Sequence, residues 1–128
     1  MILRGTPDPS DAMVGSCAFM SCHNSSGMAT LNLDMPDIGA SLVNVPACQA
    51  EGVNRVTPGN PAMSWLWVKL TGPFDVDGNV QNAAVPKACP DTTAGSLGGA
   101  MPWTGGASIP LPDDQLFQIC TWIEDGAL

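Results

Sequence analysis

The single histidine of this chain, His23, directly follows the second of two cysteines in the stretch SCAFMSCH, so Cys17, Cys22 and His23 form a C-x4-C-H cluster. Two sulfurs and the chain's only imidazole within seven residues ask the fold to be arranged around whatever these three groups engage. At 3.6 residues per turn, positions i and i+5 of an α-helix lie about 140° apart. The two sulfurs therefore cannot share a helical face, and residues 17–22 must bulge or unwind. Gly15, followed by Ser16, gives the incoming backbone that freedom.

Composition sharpens the constraint. Glycine and proline together supply 26 of the 128 residues (14 and 12), well above the roughly 12% of an average domain. Much of the chain must then be loop. Yet 45% of it is apolar, which argues against disorder. With four Trp, three Phe and no Tyr, aromatic side chains alone do not fill a core. A large, flat apolar body would complete it. The length suits one domain with a single core.

Cysteine thiols can add to the vinyl groups of a haem, and an adjacent histidine can then bind its iron. The usual spacing for this is C-x-x-C-H. Here the cysteine spacing is two residues wider, but the stricter requirement, a histidine directly after the second cysteine, is met. Two other readings stay open. Cys17–Cys22 could close a small disulfide loop beside an exposed His23, or the trio could recruit zinc. Zinc would need further cysteines, because there is no second histidine and no second C-x2–4-C pair.

The net charge is −8, twelve acids standing against Arg4, Arg55, Lys69 and Lys87. Nucleic acid and anionic membrane surfaces are thereby disfavoured as partners, since both need clustered cations. A basic protein partner is allowed. No apolar run approaches the length of a membrane span. Residues 1–11, MILRGTPDPSD, lack the apolar region of a signal peptide. Five cysteines in so short a chain favour an oxidising compartment, periplasmic or extracellular, with any leader already removed. Asn24 heads a formal glycosylation sequon, NSS, read here as chance.

Residues 1–9 read as a flexible lead-in. A first helix is expected from near Ser10 toward the cysteine pair, and a short one near 37–44 within an otherwise looped stretch 24–60. The clearest helix is expected after Asn60, with Pro61 at its first position, Gly72-Pro73 as its stop, and an apolar stripe of Met63, Leu66, Trp67 and Leu70. Residues 73–110 read as a long loop, of a length usually reserved for function. The last helix is expected over LPDDQLFQICTWIEDGA. Pro112 starts it, Asp113 and Asp114 suit its positive end, Gly126 stops it, and Leu116, Ile119, Cys120 and Ile123 form its buried stripe.

A haem iron bound by His23 needs a second ligand or stays open, and bis-histidine ligation within the chain is excluded. Seven methionines are candidates. Met13, Met20, Met28 and Met35 lie near the attachment segment. Met63 reads better as core. Met101, in GSLGGAMPWTGGAS, sits in a glycine-rich loop that lets backbone approach closely, with Pro102 stiffening it after the sulfur.

Together the segments CAFMSCH, LVNVPA, RVTPGNPAMSWLWVKLTG, GGAMP and LPDDQLFQICTWIEDGA, in this order over most of residues 12–127, resemble a class I-type cytochrome c domain. The likeness is to the single-haem bacterial variety with a lengthened attachment motif. The resemblance implies an all-α, cytochrome c-like fold of three to four helices around one haem, with long loops, as a single domain over 10–128. It implies a covalent haem c and an electron carrier serving redox partner proteins. Carried over by position, Cys17 and Cys22 are the thioether residues, His23 the proximal ligand and Met101 the distal one. An iron so ligated has no place for substrate, which argues against an enzyme. Trp65, Trp67, Trp103 or Trp122 would pack around the haem, and Arg55 would pair with a propionate. The alternatives are a catalytic or gas-sensing haem domain and a haem-free, disulfide-stapled binding module.

Setting Cys17 and Cys22 aside leaves Cys48, Cys89 and Cys120, an odd number. A Cys89–Cys120 bridge would hold the Met101 loop against the terminal helix and is preferred. The rival, Cys48–Cys89, joins the two long loops and leaves Cys120 as a buried thiol.

Overall fold

The computed structural model describes residues 23, 31–33, 36–89, 96–102, 108 and 110–128. The expected lead-in, the helix from Ser10, the attachment cysteines Cys17 and Cys22, and Trp103 lie outside them.

Three short helices and one two-stranded antiparallel sheet organise the described residues. The first helix, α1 (Ile38–Leu42), is capped by Asp37, whose Oδ1 accepts the Ala40 N–H at 3.2 Å, and it buries Ile38, Ser41 and Leu42. The chain then extends and bridges itself, Val43 beside Val56 and Pro46 beside Asn54. Strand β1 (Ala50–Glu51) pairs with β2 (Val85–Pro86), Ala50 opposite Pro86 and Glu51 opposite Val85. The Lys87 N–H to Gln49 O bond of 2.9 Å extends the pairing by one step.

The helix expected from Asn60 to Gly72 is broken once, with consequences for which residues are buried. Asn60 caps a 3-10 turn, Pro61–Met63, by accepting the Met63 N–H at 3.2 Å. Ser64 is then extended and fully buried, its Oγ accepting the Thr57 N–H at 2.9 Å and donating to Asn60 O at 2.8 Å. A serine hydroxyl that engages nearby backbone in this way competes with the helix ladder. Helix α2 (Trp65–Thr71) starts only after it. Met63 is thereby left off the helix and is 51% exposed, which corrects its place in the buried stripe. Trp65, Val68 and Lys69, at i, i+3 and i+4 of the new start, are buried along with Leu70. Gly72 ends the helix at φ +82°, where a Cβ would come within 2.9 Å of the Phe74 ring.

The stretch after α2 is tied down rather than free. Asp75 Oδ1 accepts the N–H groups of Asp77 and Asn79 at 2.9 and 2.8 Å, closing a turn around Gly78. Phe74 bridges Val80, and Asn79 bridges Gly99. Helix α3 (Asp113–Glu124) follows with Pro112 as its N-cap and Asp113 and Asp114 in its first turn. It buries Ile119 and Ile123, with Leu116 half-buried on the same side as expected.

The expected all-α, cytochrome c-like fold is corrected. Next to the sheet, the described residues form five isolated β-bridges with one another, and the fold is a small mixed one. The physical reason lies in the glycine and proline content. Breakers keep the helices short, and the backbone groups left between them find partners in bridges instead of helical turns. The preferred Cys89–Cys120 pairing is corrected as well. The disulfide is Cys48–Cys89, set just beyond the β1–β2 ladder, and Cys120 is a half-buried thiol outside it. The antiparallel pairing of 50–51 with 85–86 carries Cys48 and Cys89 together, whereas Cys120 rides on α3.

Two apolar clusters result. The first joins Leu33, Ile38, Leu42 and Val56 to Leu70 of α2 and to Ile119, Ile123 and Ala127. The second gathers Ala47, Ala50, Val80 and Leu97 around Trp65 and Val68. Helix α2 lies between them and contributes to both. Among the described residues no helix is long and apolar enough to cross a membrane.

Candidate functional site

His23 enters the described structure through its backbone. Its carbonyl accepts the Leu33 N–H at 2.7 Å, and Leu33, only 1% exposed, is part of the first cluster. The histidine itself is half-buried. Met101 arrives at the same cluster from the other end of the chain. Its N–H donates to Lys69 O at 2.8 Å, and its half-buried side chain packs against the first cluster. Trp67 does the same from α2. Three of the sequence-derived residues thus converge on one apolar body, Met101 and Trp67 directly and His23 through Leu33.

Arg55 stands at the join of α1 and the extended chain. Its Nη1 donates to Ser41 O at 2.9 Å, and its own N–H and C=O are taken by Val45 and Leu66. Burial lowers its pKa, though a guanidinium stays charged at any ordinary pH. Trp65 belongs to the second cluster, not the first, so of the four tryptophans Trp67 and Trp122 are those seen against the first.

Among the described residues, eight apolar side chains pack against the first cluster while remaining only partly buried, including Leu31, Trp67, Met101, Leu111 and Trp122. An apolar cluster with Met101 packed on it, and with His23 joined to it through the Leu33 N–H, fits a flat apolar cofactor with an iron centre. The donor set fits too, since imidazole and thioether are both haem-iron ligands. Among the described residues no group of three or more His, Cys, Asp or Glu could hold a metal ion by itself. A separate groove of about 470 Å³ lies on α3, lined by Phe117, Gln118, Thr121, Trp122, Asp125 and Leu128.

Lys69 escaped the sequence reading. It is 6% exposed, its Nζ donates to Leu97 O at 3.1 Å, and burial lowers its pKa to about 8. The available signal was the pair Trp65 and Val68, which puts Lys69 on a second apolar face of α2. The stripe through Met63 drew attention to the opposite side. Among the described residues every buried side-chain nitrogen and oxygen has a hydrogen-bond partner.

Comparison with protein-family models, with curated proteins and with solved structures found no match for this chain.

Proposed function

We propose that the chain is a one-electron carrier with one haem c, attached through Cys17 and Cys22 and ligated by His23 and Met101. The observation that supports this reading is that His23 and Met101, distant in sequence, are both tied to one apolar cluster. Met101 packs against the cluster that contains Leu33, whose N–H is held by the His23 carbonyl. The C-x4-C-H spacing supplies the covalent anchor. A haem bound there supplies reversible one-electron chemistry at its iron, with methionine ligation favouring a higher potential than two histidines would. His23 and Met101 engaged together leave no coordination position for a substrate, so the reading is of a carrier rather than an enzyme. Trp67 covers part of the apolar face and excludes water from it. Arg55, whose Nη1 donates to Ser41 O, carries the positive charge that would attract a propionate.

The Cys48–Cys89 disulfide supports an oxidising location, periplasmic or extracellular. The net charge of −8 supports basic redox proteins as partners and disfavours nucleic acid. The same disulfide would also suit a haem-free, disulfide-stapled binding module. Intact-protein mass after acid-acetone extraction separates the two. The carrier reading expects the polypeptide plus one haem, and a mass equal to the bare polypeptide refutes it.

A further inference from the structure

The segment that carries Met101 is gripped from a single residue of α2. Lys69 Nζ donates to Leu97 O at 3.1 Å, while the Lys69 main-chain carbonyl accepts the Met101 N–H at 2.8 Å. One residue thus holds segment 97–101 at both ends. Between them Gly98 runs at φ +70°, and a Cβ there would stand 3.0 Å from Lys69 Nζ and 2.9 Å from Gln49 Nε2. Backbone therefore lies directly on the ammonium, at a position where the positive φ would strain a larger residue. The other edge of the segment is bonded to the turn at 78–80, Val80 N–H to Gly98 O and Ala100 N–H to Gly78 O, both at 2.9 Å.

Burying an ammonium is costly, and an apolar side chain of similar volume often serves stability as well or better. Space filling does not account for a lysine here; its Nζ bond to Leu97 O does, set beside the main-chain bond that the same residue makes to Met101. We infer that Lys69 is the positioning residue for Met101, holding the glycine-rich segment so that the thioether is presented in one place. This rests on the reading of Met101 as an iron ligand. The clamp keeps the thioether from yielding its position to small external ligands, because opening requires the Lys69–Leu97 bond and the Met101–Lys69 bond to part together.

The test is imidazole titration, followed by absorbance, of the haem-loaded full chain, of Lys69→Met, of Met101→Ala and of the double variant, with haem content checked by intact mass. An external ligand's apparent affinity scales with the fraction of molecules in the open form, so loosening the clamp should raise it about tenfold in Lys69→Met. In the Met101→Ala background there is no thioether to displace, and Lys69→Met should then change the affinity less than about twofold. An equal effect in both backgrounds overturns the positioning role while leaving the ligand reading intact. A haem-free chain, or a Met101→Ala affinity equal to that of the original, overturns the ligand reading and this inference with it. Should Lys69→Met not fold, amide exchange of the unaltered chain decides. The Met101 amide is expected to be as protected as that of Val68 within α2, and exchange at the rate of an unstructured peptide overturns the clamp.

Discussion

Replacing Cys48 and Cys89 together by alanine removes the one cross-link seen among the described residues. The two cysteines are 41 positions apart, so the bridge restrains a long stretch of the unfolded chain. With a loop-closure entropy of −2.1 − 1.5R ln n, a loop of about 41 residues gives about 13 cal/mol/K, or about 4 kcal/mol near 25 °C. Small domains are stable by only about 5–15 kcal/mol, so the loss is a large share of the whole. Equilibrium urea unfolding followed by circular dichroism measures it. At a slope of about 2 kcal/mol/M the midpoint should fall by about 2 M, and the slope itself should rise because an uncross-linked chain exposes more surface. Cys120→Ala is the control. That thiol is only half-buried and outside the bridge, so the change should stay near the 1 kcal/mol typical of single substitutions. The reasoning is refuted if Cys120→Ala costs the larger amount and Cys48→Ala costs nothing, for then the bridge is Cys89–Cys120. Peptide mapping without reduction should yield one linked pair containing Cys48 and Cys89.

Three further outcomes follow from named contacts. Lys69 has a folded pKa of about 8 against 10.5 for a free lysine, so the folded state binds fewer protons between those values and stability rises with pH across the window. At 1.36 kcal/mol per pKa unit this is worth about 3 kcal/mol, and the gain should be missing from Lys69→Met in unfolding measured from neutral pH to the top of the window. Asp75 has its pKa lowered, chiefly by the Asn79 N–H, so its contribution is present above the unfolded value of 3.8 and is lost as pH falls through the folded one. The melting-temperature advantage of the original over Asp75→Asn should accordingly shrink to nothing in strong acid, and an advantage that persists there contradicts the assignment. Gly72→Ala meets both a positive φ and the Phe74 ring at 2.9 Å, and should cost about 1–3 kcal/mol in denaturant unfolding.

How much of this was legible in the sequence depended on whether a signal was local. Helix α3 was readable because Pro112, the acidic pair and Gly126 bound a periodic apolar run, and α1 fell inside the expected 37–44. The start of α2 was not, because Ser64 looks like an ordinary helix residue until Thr57 is found beside it. The sheet was equally hidden. Strands of two residues carry no alternation to detect, and their pairing joins positions 50 and 86 through tertiary contact alone. The choice between disulfides hung on that same pairing. At the candidate site, residue type and spacing singled out His23 and Met101. The convergence of Met101 and Trp67 on the cluster that holds Leu33 could not, nor could the burial of Lys69, which depended on the phase set by Ser64.

Helix α2 has seven residues, too few to persist alone in water, since a helix this short does not recover the cost of nucleation. It persists because Leu70 is held in one cluster while Trp65 and Val68 are held in the other. Neither cluster can dissolve without withdrawing half of what keeps the helix formed, and a helix that melts takes the second cluster with it. The two clusters therefore form one cooperative unit. Disturbance at Trp65 is felt at Leu70 within the same two turns, and the covalent tie at Cys48–Cys89, flanked by Ala47 and Ala50 of the second cluster, acts on the whole of that unit rather than on the loops it joins.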